Sequence, residues 1–188
     1  FNMSGKNHIL YFKIRSEQTI QMPGHLWNYK KFYFYDKIEN YILGIFFGIL
    51  LIMIFYNLFL YISVKDNNYL FYICYISSQF LYQIIYTGIF FELFLNEKPY
   101  INNIIFPISI SFVTITALIF VKHFLEIKTH LPLFNKIFII IIGLSILNIC
   151  LPFLKYNMES IAFQNLLVII GSIIIIISSI LLLSIHRT

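Results

Sequence analysis

The chain has 188 residues, 60% of them hydrophobic and only 11% charged, with a formal net charge of +5. Soluble domains carry about 25% charged residues, so this composition excludes an ordinary water-soluble domain. The Lys and Arg residues are scattered, with no block longer than Lys30-Lys31, which excludes a nucleic-acid-binding patch and points to snorkelling and interface anchoring instead.

Residues 1–40 differ from the rest. Leu10, Phe12 and Ile14 alternate with Tyr11, Lys13 and Arg15, a period-two pattern that predicts a strand with one face buried. Ile20-Gln21-Met22 reads as a second short strand, ended by the Pro23-Gly24 turn signal. Two strands do not make a stable sheet alone. Residues 1–27 are therefore expected to be the C-terminal remnant of a β domain whose bulk lies upstream. Residues 28–40 mix aromatics with Lys, a composition suited to the headgroup zone, and read as a juxtamembrane linker.

Five long apolar stretches follow, at about 41–64, 69–91, 102–125, 134–153 and 161–185. Each approaches or exceeds the ~20 residues a helix needs to cross a bilayer. In lipid only helices and closed barrels satisfy their backbone groups. The expected fold is thus an all-α polytopic membrane protein, a helical transmembrane bundle over 41–188. The loop Lys65-Asp66-Asn67-Asn68 is short enough to force an antiparallel hairpin, which puts Asn57 level with Ile76 and within one turn of Gln79. With residues 1–40 outside, the inner loops hold Lys65, Lys128 and Arg187 and the outer loops Lys98 and Lys155. That distribution fits the positive-inside rule, whereas Lys30, Lys31 and Lys37 oppose it; an exported upstream domain crosses largely regardless of its charge.

Within the spans, polar and small residues carry what information there is. Gly44 and Gly48 form a small-xxx-small pair in the first, expected to be a packing face. The second holds Ser77, Ser78, Gln79 and Gln83. Gln79 and Gln83 share one helix face, and Asn57 lies at the right depth to pair with them. Amide bonds between helices in lipid average ~0.6 kcal/mol, so static glue competes with a polar hinge that carries a signal. Pro107 in the third span is expected to kink or loosen its helix, with Ser109 and Ser111 re-satisfying freed backbone groups. In the fifth, Gln164, Gly171 and Ser178 repeat every seven residues, as do Asn165, Ser172 and Ser179, a stripe suited to a left-handed helix contact.

Catalytic chemistry has little foothold. No acidic or basic residue lies in the middle of a span, where ion-coupled pumps and proton relays keep them. There is no HExxH helix, phosphate-binding Gly-Lys-Ser/Thr loop or GxSxG turn. His123, Glu126 and His130 cluster at the exit of the third span, but His130 precedes Pro132 beyond the helix end, and metal sites need three or four converging ligands. Cys74 and Cys150 have neither disulfide nor metal spacing. The expectation is no catalytic, cofactor-binding or metal residue.

One family shares this order and texture. Gly44-Ile-Phe-Phe-Gly48, Phe55-Tyr-Asn-Leu-Phe-Leu-Tyr61, the short Lys-Asp loop and Tyr69-Leu-Phe-Tyr-Ile73 resemble the opening of the bacterial 7TM receptors with diverse intracellular signalling modules (7TMR-DISM). Phe120-Val-Lys-His-Phe-Leu-Glu126 with Leu131-Pro132 is similar to that family's third-span exit. Leu10-Tyr-Phe-Lys-Ile-Arg15 and Gly24-His-Leu-Trp27 resemble the tail of its extracellular β domain. The resemblance covers nearly the whole chain. It implies an upstream periplasmic β-sandwich that takes a small-molecule ligand of carbohydrate type. It implies seven spans, five of them here, and a cytoplasmic kinase, diguanylate cyclase or phosphatase module in cis, absent from these residues. The expected function is a sensory receptor segment of the bacterial inner membrane, N-terminal side periplasmic, embedded in the bilayer and capable of homodimerising. Gly44, Gly48, Asn57, Gln79, Gln83, Pro107, Gly171 and Ser178 are its packing or relay candidates. Two other readings stay open. A permease subunit would need a charged or broken-helix substrate site near the midplane, and a plain anchor or assembly subunit would be indifferent to changes on the polar face of the second span.

Overall fold

The computed structural model describes residues 28–94 and 99–185, and every element among them is a helix. The strand remnant expected over residues 1–27 lies outside the described residues.

Helix α1 runs from Tyr29 to Val64. At 1.5 Å per residue its 36 residues extend about 54 Å, well beyond a hydrocarbon core of about 30 Å. The residues read as a juxtamembrane linker are therefore helical and continuous with the span. Asn28 caps the helix, accepting from the Lys30 amide at 3.3 Å. The Lys37 ammonium lies 5.6 Å from the centre of the Tyr41 ring, a cation–π contact suited to the headgroup zone.

The hairpin after α1 is built from two residues. Lys65 turns left-handed (φ 58°) and its amide donates to the Tyr61 carbonyl, closing α1. Asp66 then caps α2 (Asn67–Tyr86), accepting from the Asn68 amide at 2.9 Å. The second apolar stretch is not one helix to residue 91. Thr87 bends its hydroxyl onto the Gln83 carbonyl at 2.9 Å, and Gly88 takes φ +80°, a conformation that glycine reaches without a Cβ clash. Helix α3 (Ile89–Phe94) restarts beyond it.

Helix α4 (Pro99–Phe124) begins on a proline, whose missing N–H costs nothing in a first turn. It ends where Glu126 turns left-handed, before the single turn α5 (Ile127–His130). Pro132 opens α6 (Pro132–Asn148). A 3-10 turn at Leu151–Leu154 and a left-handed Lys155 (φ 66°) reverse the chain into α7 (Asn157–Ile185).

Four of these segments, Tyr29–Val64, Tyr100–Phe124, Pro132–Leu154 and Asn157–Ser184, are long and apolar enough to cross a membrane. Helix α2 has the length, 20 residues, but Asn67, Asn68, Gln79, Gln83 and its tyrosines leave it less apolar. Five spans are thus not established, although five helical segments correspond to the five stretches. Ile45, Ile52 and Phe59 of α1 and Leu147, Ile169 and Leu183 elsewhere stand exposed. So continuous an apolar surface fits a lipid surround.

Helix α4 is central. It packs on α2, α6 and α7, while α1 reaches the bundle chiefly through α2. The apolar core joins Leu118 of α4, Ile127 of α5, Phe138 and Ile141 of α6 and Leu167 of α7. At Gly171 a Cβ would meet the Leu118 Cδ2 at 3.6 Å, an ordinary contact distance. Gly171→Ala should therefore leave stability within about 1 kcal/mol of the parent, whereas Gly171→Leu should overpack the α4–α7 contact and cost about 1–3 kcal/mol. Unfolding by SDS titration in mixed micelles, followed by far-UV circular dichroism, reads both.

Candidate functional site

Above the apolar core, toward the α6–α7 turn, the three-helix bundle holds polar side chains. Asn148, in the last turn of α6, is 1% exposed, and Ser111, Ser145, Ser160 and Gln164 are fully buried. The sequence puts them there by period. Ser145 and Asn148 are three apart on α6, and Ser160 and Gln164 are four apart on α7, so each pair shares a face. The tight α6–α7 turn brings these faces together, and Ser111 of α4 completes the ring.

Hydrogen bonds join all five. The Asn148 Nδ2 lies 3.2 Å from the Ser111 Oγ, 3.2 Å from the Ser160 carbonyl oxygen and 3.2 Å from the Gln164 Oε1. The Gln164 Nε2 donates to the Ser145 Oγ at 3.2 Å. Ser111 in turn donates to the Pro107 carbonyl at 3.1 Å. An amide nitrogen carries two hydrogens, so three acceptors compete for two protons. Two acceptors are well served at any moment and the third is left short. Such a network has three arrangements, two tying α6 to both α4 and α7 and one tying it to α7 alone. In an interior of low dielectric the differences between them are felt strongly.

A second polar link joins α2 to α4. The hydroxyls of Ser78 and Thr116 lie 2.7 Å apart, both buried. Each hydroxyl has one proton, so one donates across while the other donates back into its own helix, Ser78 to the Tyr75 carbonyl or Thr116 to that of Phe112 or Val113. In a double-mutant cycle, Ser78→Ala and Thr116→Ala should couple by about 0.6–1.7 kcal/mol, the range of interhelical hydrogen bonds in membranes. Strict additivity in SDS unfolding would mean that the two hydroxyls do not interact.

The residues singled out from sequence fall into two groups. Pro107 and Gly171 lie in the α4–α7 region: Pro107 is fully buried and its carbonyl anchors Ser111. Ser178 is buried on α7 and donates to the Ile175 carbonyl at 3.0 Å. The others do not join the network. Asn57 is the buried residue of α1, yet its amide donates to the Met53 carbonyl of its own helix at 2.8 Å rather than to Gln79. A side chain that can close onto a carbonyl one turn back needs no partner helix, which is why the expected Asn57–Gln79 pairing is not formed. Gln79 instead lines an open groove of about 370 Å³ between α2, α4 and α7, with Tyr82, Thr114 and Ser172. Gln83 contributes its backbone carbonyl to the Thr87 turn. No atom of another helix lies within 4 Å of a Cβ built at Gly44 or Gly48, so among the described residues the expected packing face has no helix on it.

The serines near Pro107 also differ from expectation. Ser109 donates to the Phe106 carbonyl at 2.6 Å and Ser111 to that of Pro107. A proline withholds its N–H from the carbonyl four residues earlier, at position 103, whereas these bonds end at 106 and 107. Serine bonds back three or four residues along its own helix, which from 109 and 111 ends at 105–108.

At the far end of the bundle His123 stacks on Phe71, ring centres 4.1 Å apart, and its Nδ1 lies 2.9 Å from the Ile119 carbonyl. The His130 Nε2 is 3.8 Å from Glu126 Oε2. No group of three His, Cys, Asp or Glu among the described residues could hold a metal ion.

Ser145, Asn148 and Ser160 were not anticipated from sequence. The equal-depth argument used for the first hairpin, applied to spans ending at 153 and starting at 161, sets residues 145–148 opposite 166–169, so the 3-10 turn at Leu151–Leu154 hid the pairing with Ser160 and Gln164.

No curated protein and no solved structure matches the chain. Residues 39–188 match the family model described as 7TM diverse intracellular signalling. That match covers the described helices from within α1 through α7, the polar network included. A multi-pass helical membrane protein whose apolar helices are matched over this length belongs to the 7TM diverse intracellular signalling family, a receptor-like transmembrane domain linked to signalling inside the cell.

Proposed function

We propose that these helices relay the binding of a ligand outside the cell, or in the periplasm, to an output module on the cytoplasmic side of a bacterial inner membrane. The observation that carries this reading is the family match over residues 39–188. The network at Asn148 supports a mechanism. A relay needs an element with two arrangements that both ends can bias. Three acceptors competing for the two protons of Asn148 supply one. With its protons on Ser111 and the Ser160 carbonyl, Asn148 holds α6 to α4 and to the start of α7. With one proton moved to Gln164, the tie to α4 or to the Ser160 carbonyl weakens. A small shift of α7 against α6 changes which is preferred, and Pro107 lies one bond beyond through Ser111. Asn57, Gln79 and Gln83 form an outlying polar tier in α1 and α2.

The test needs no known ligand. In the complete gene product, Asn148→Leu and Gln164→Leu should each shift the basal cytoplasmic output by about fivefold or more, the size of a ~1 kcal/mol coupling. Membrane insertion should stay normal. Unchanged output from well-inserted variants would reduce the bundle to an anchor. A change in solute uptake with output untouched would favour a permease.

A further inference from the structure

Two polar atoms of the network have no partner: the Oδ1 of Asn148 and the Oγ of Ser160. Their residues are 1% and 0% exposed, and the Asn148 Nδ2 is 3.2 Å from the Ser160 carbonyl oxygen, so both atoms belong to one small region. Asn102, Asn135 and Asn157 also carry an unpartnered oxygen, but these residues are only half-buried and lie near helix starts. An unmade hydrogen bond at a fully buried group costs about 1–3 kcal/mol.

A count of donors and acceptors identifies what is missing. Asn148 Oδ1 needs a proton. Of the three acceptors around Asn148 Nδ2, the Ser160 carbonyl also takes the Gln164 N–H inside α7 and the Ser111 hydroxyl is also bonded to Pro107, so the amide is not their sole partner. The Ser160 hydroxyl needs an acceptor for its own proton. What stays open is one buried oxygen without a donor and one buried hydroxyl without an acceptor, and the two do not bond each other. Turning the Asn148 amide over does not repair it, since Oδ1 would then face the Ser160 carbonyl and the Gln164 Oε1, acceptor against acceptor.

We infer that a single water molecule is bound here. It accepts from the Ser160 hydroxyl, donates one hydrogen to Asn148 Oδ1, and donates the other to whichever acceptor Asn148 leaves short. Three polar partners are typical of a buried water. A cation fits poorly. The Asn148 and Gln164 N–H groups point into the same cluster, Ser160 lies in the first turn of α7 where the helix dipole disfavours positive charge, and the neighbouring carboxylate, Glu159, is exposed. The water makes the competition at Asn148 tolerable, because the acceptor that loses the amide proton gains a water proton. It stands on the packing of α4, α6 and α7 and does not depend on the receptor reading.

The test is an experimental structure of the whole protein in lipid nanodiscs, at a resolution that shows ordered water. Density is expected within hydrogen-bonding distance of both Asn148 Oδ1 and Ser160 Oγ. A direct Ser160–Asn148 bond, or no density where other buried waters are seen, overturns the inference. Solid-state NMR gives a second measurement on the unmodified chain. Polarisation from water should reach the Asn148 side-chain NH₂, and its failure to do so also counts against a bound water. Thermal stability that rises with sodium but not with choline would assign the position to a cation and overturn the proposal.

Discussion

Asn148→Leu is expected to destabilise the bundle by about 2–3 kcal/mol. The substitution removes the donor shared by the Ser111 Oγ, the Ser160 carbonyl and the Gln164 Oε1. Ser111 keeps its bond to Pro107 and the Ser160 carbonyl its place in the α7 ladder, while the buried Gln164 Oε1 is left unmet at a cost of about 1–3 kcal/mol and the emptied polar pocket adds to it. The total is held down because polar groups of a membrane protein find other partners when it unfolds in lipid or detergent, so interhelical hydrogen bonds there rarely exceed ~1.7 kcal/mol. The distinctive part is the double variant. Adding Gln164→Leu removes an acceptor already stranded, so the pair should cost less than the sum of the singles by about 0.5–1.5 kcal/mol. SDS titration of the four proteins by far-UV circular dichroism measures it. A single-variant loss below about 0.5 kcal/mol would mean that the amide is not enclosed as described.

Phe138→Ala should cost about 3 kcal/mol, through a different mechanism. Phe138 is fully buried where α6 meets Leu118, Ile127, Ile141 and Leu167. In a soluble core Phe→Ala costs about 3–5 kcal/mol, part of it transfer from water and part the cavity left behind. In lipid the transfer part fades, because the acyl chains are as apolar as the core, while the lost van der Waals contacts remain. Leu147→Ala is the control. Leu147 is 67% exposed on the same helix, and lipid fills the space it vacates, so its loss should stay near about 0.5 kcal/mol or less. Equal costs at the two positions in the same SDS titration would show that burial inside the bundle is not what stabilises α6.

The sequence by itself determined the class of molecule. Long apolar runs in a chain with 11% charge admit only helices that satisfy their own backbone groups in lipid, and the stretches expected from 69, 102 and 134 are helices that start within one turn of those positions, at Asn67, Pro99 and Pro132. The family texture is likewise a property of linear order, and the match over residues 39–188 agrees with it. Helix ends were less legible where one residue's backbone angle decides them. Nothing in the apolar run from 69 to 91 required Gly88 to take φ +80° and split α3 from α2.

Pairing was decided by the tertiary structure alone. Asn57 and Gln79 share a depth in sequence reasoning, but depth says nothing about rotation about the helix axis, and Asn57 turned onto its own backbone. Gly44 and Gly48 have the spacing of a contact face, but no described helix lies there. Asn148, a lone amide near the end of an apolar run, became the centre of the polar network because α4, α6 and α7 converge on it. An apolar helix in lipid carries almost no amphipathic signal to say which side faces its neighbours. That choice rests on close packing and on the few polar groups that must be enclosed, and both exist only once three helices are in place.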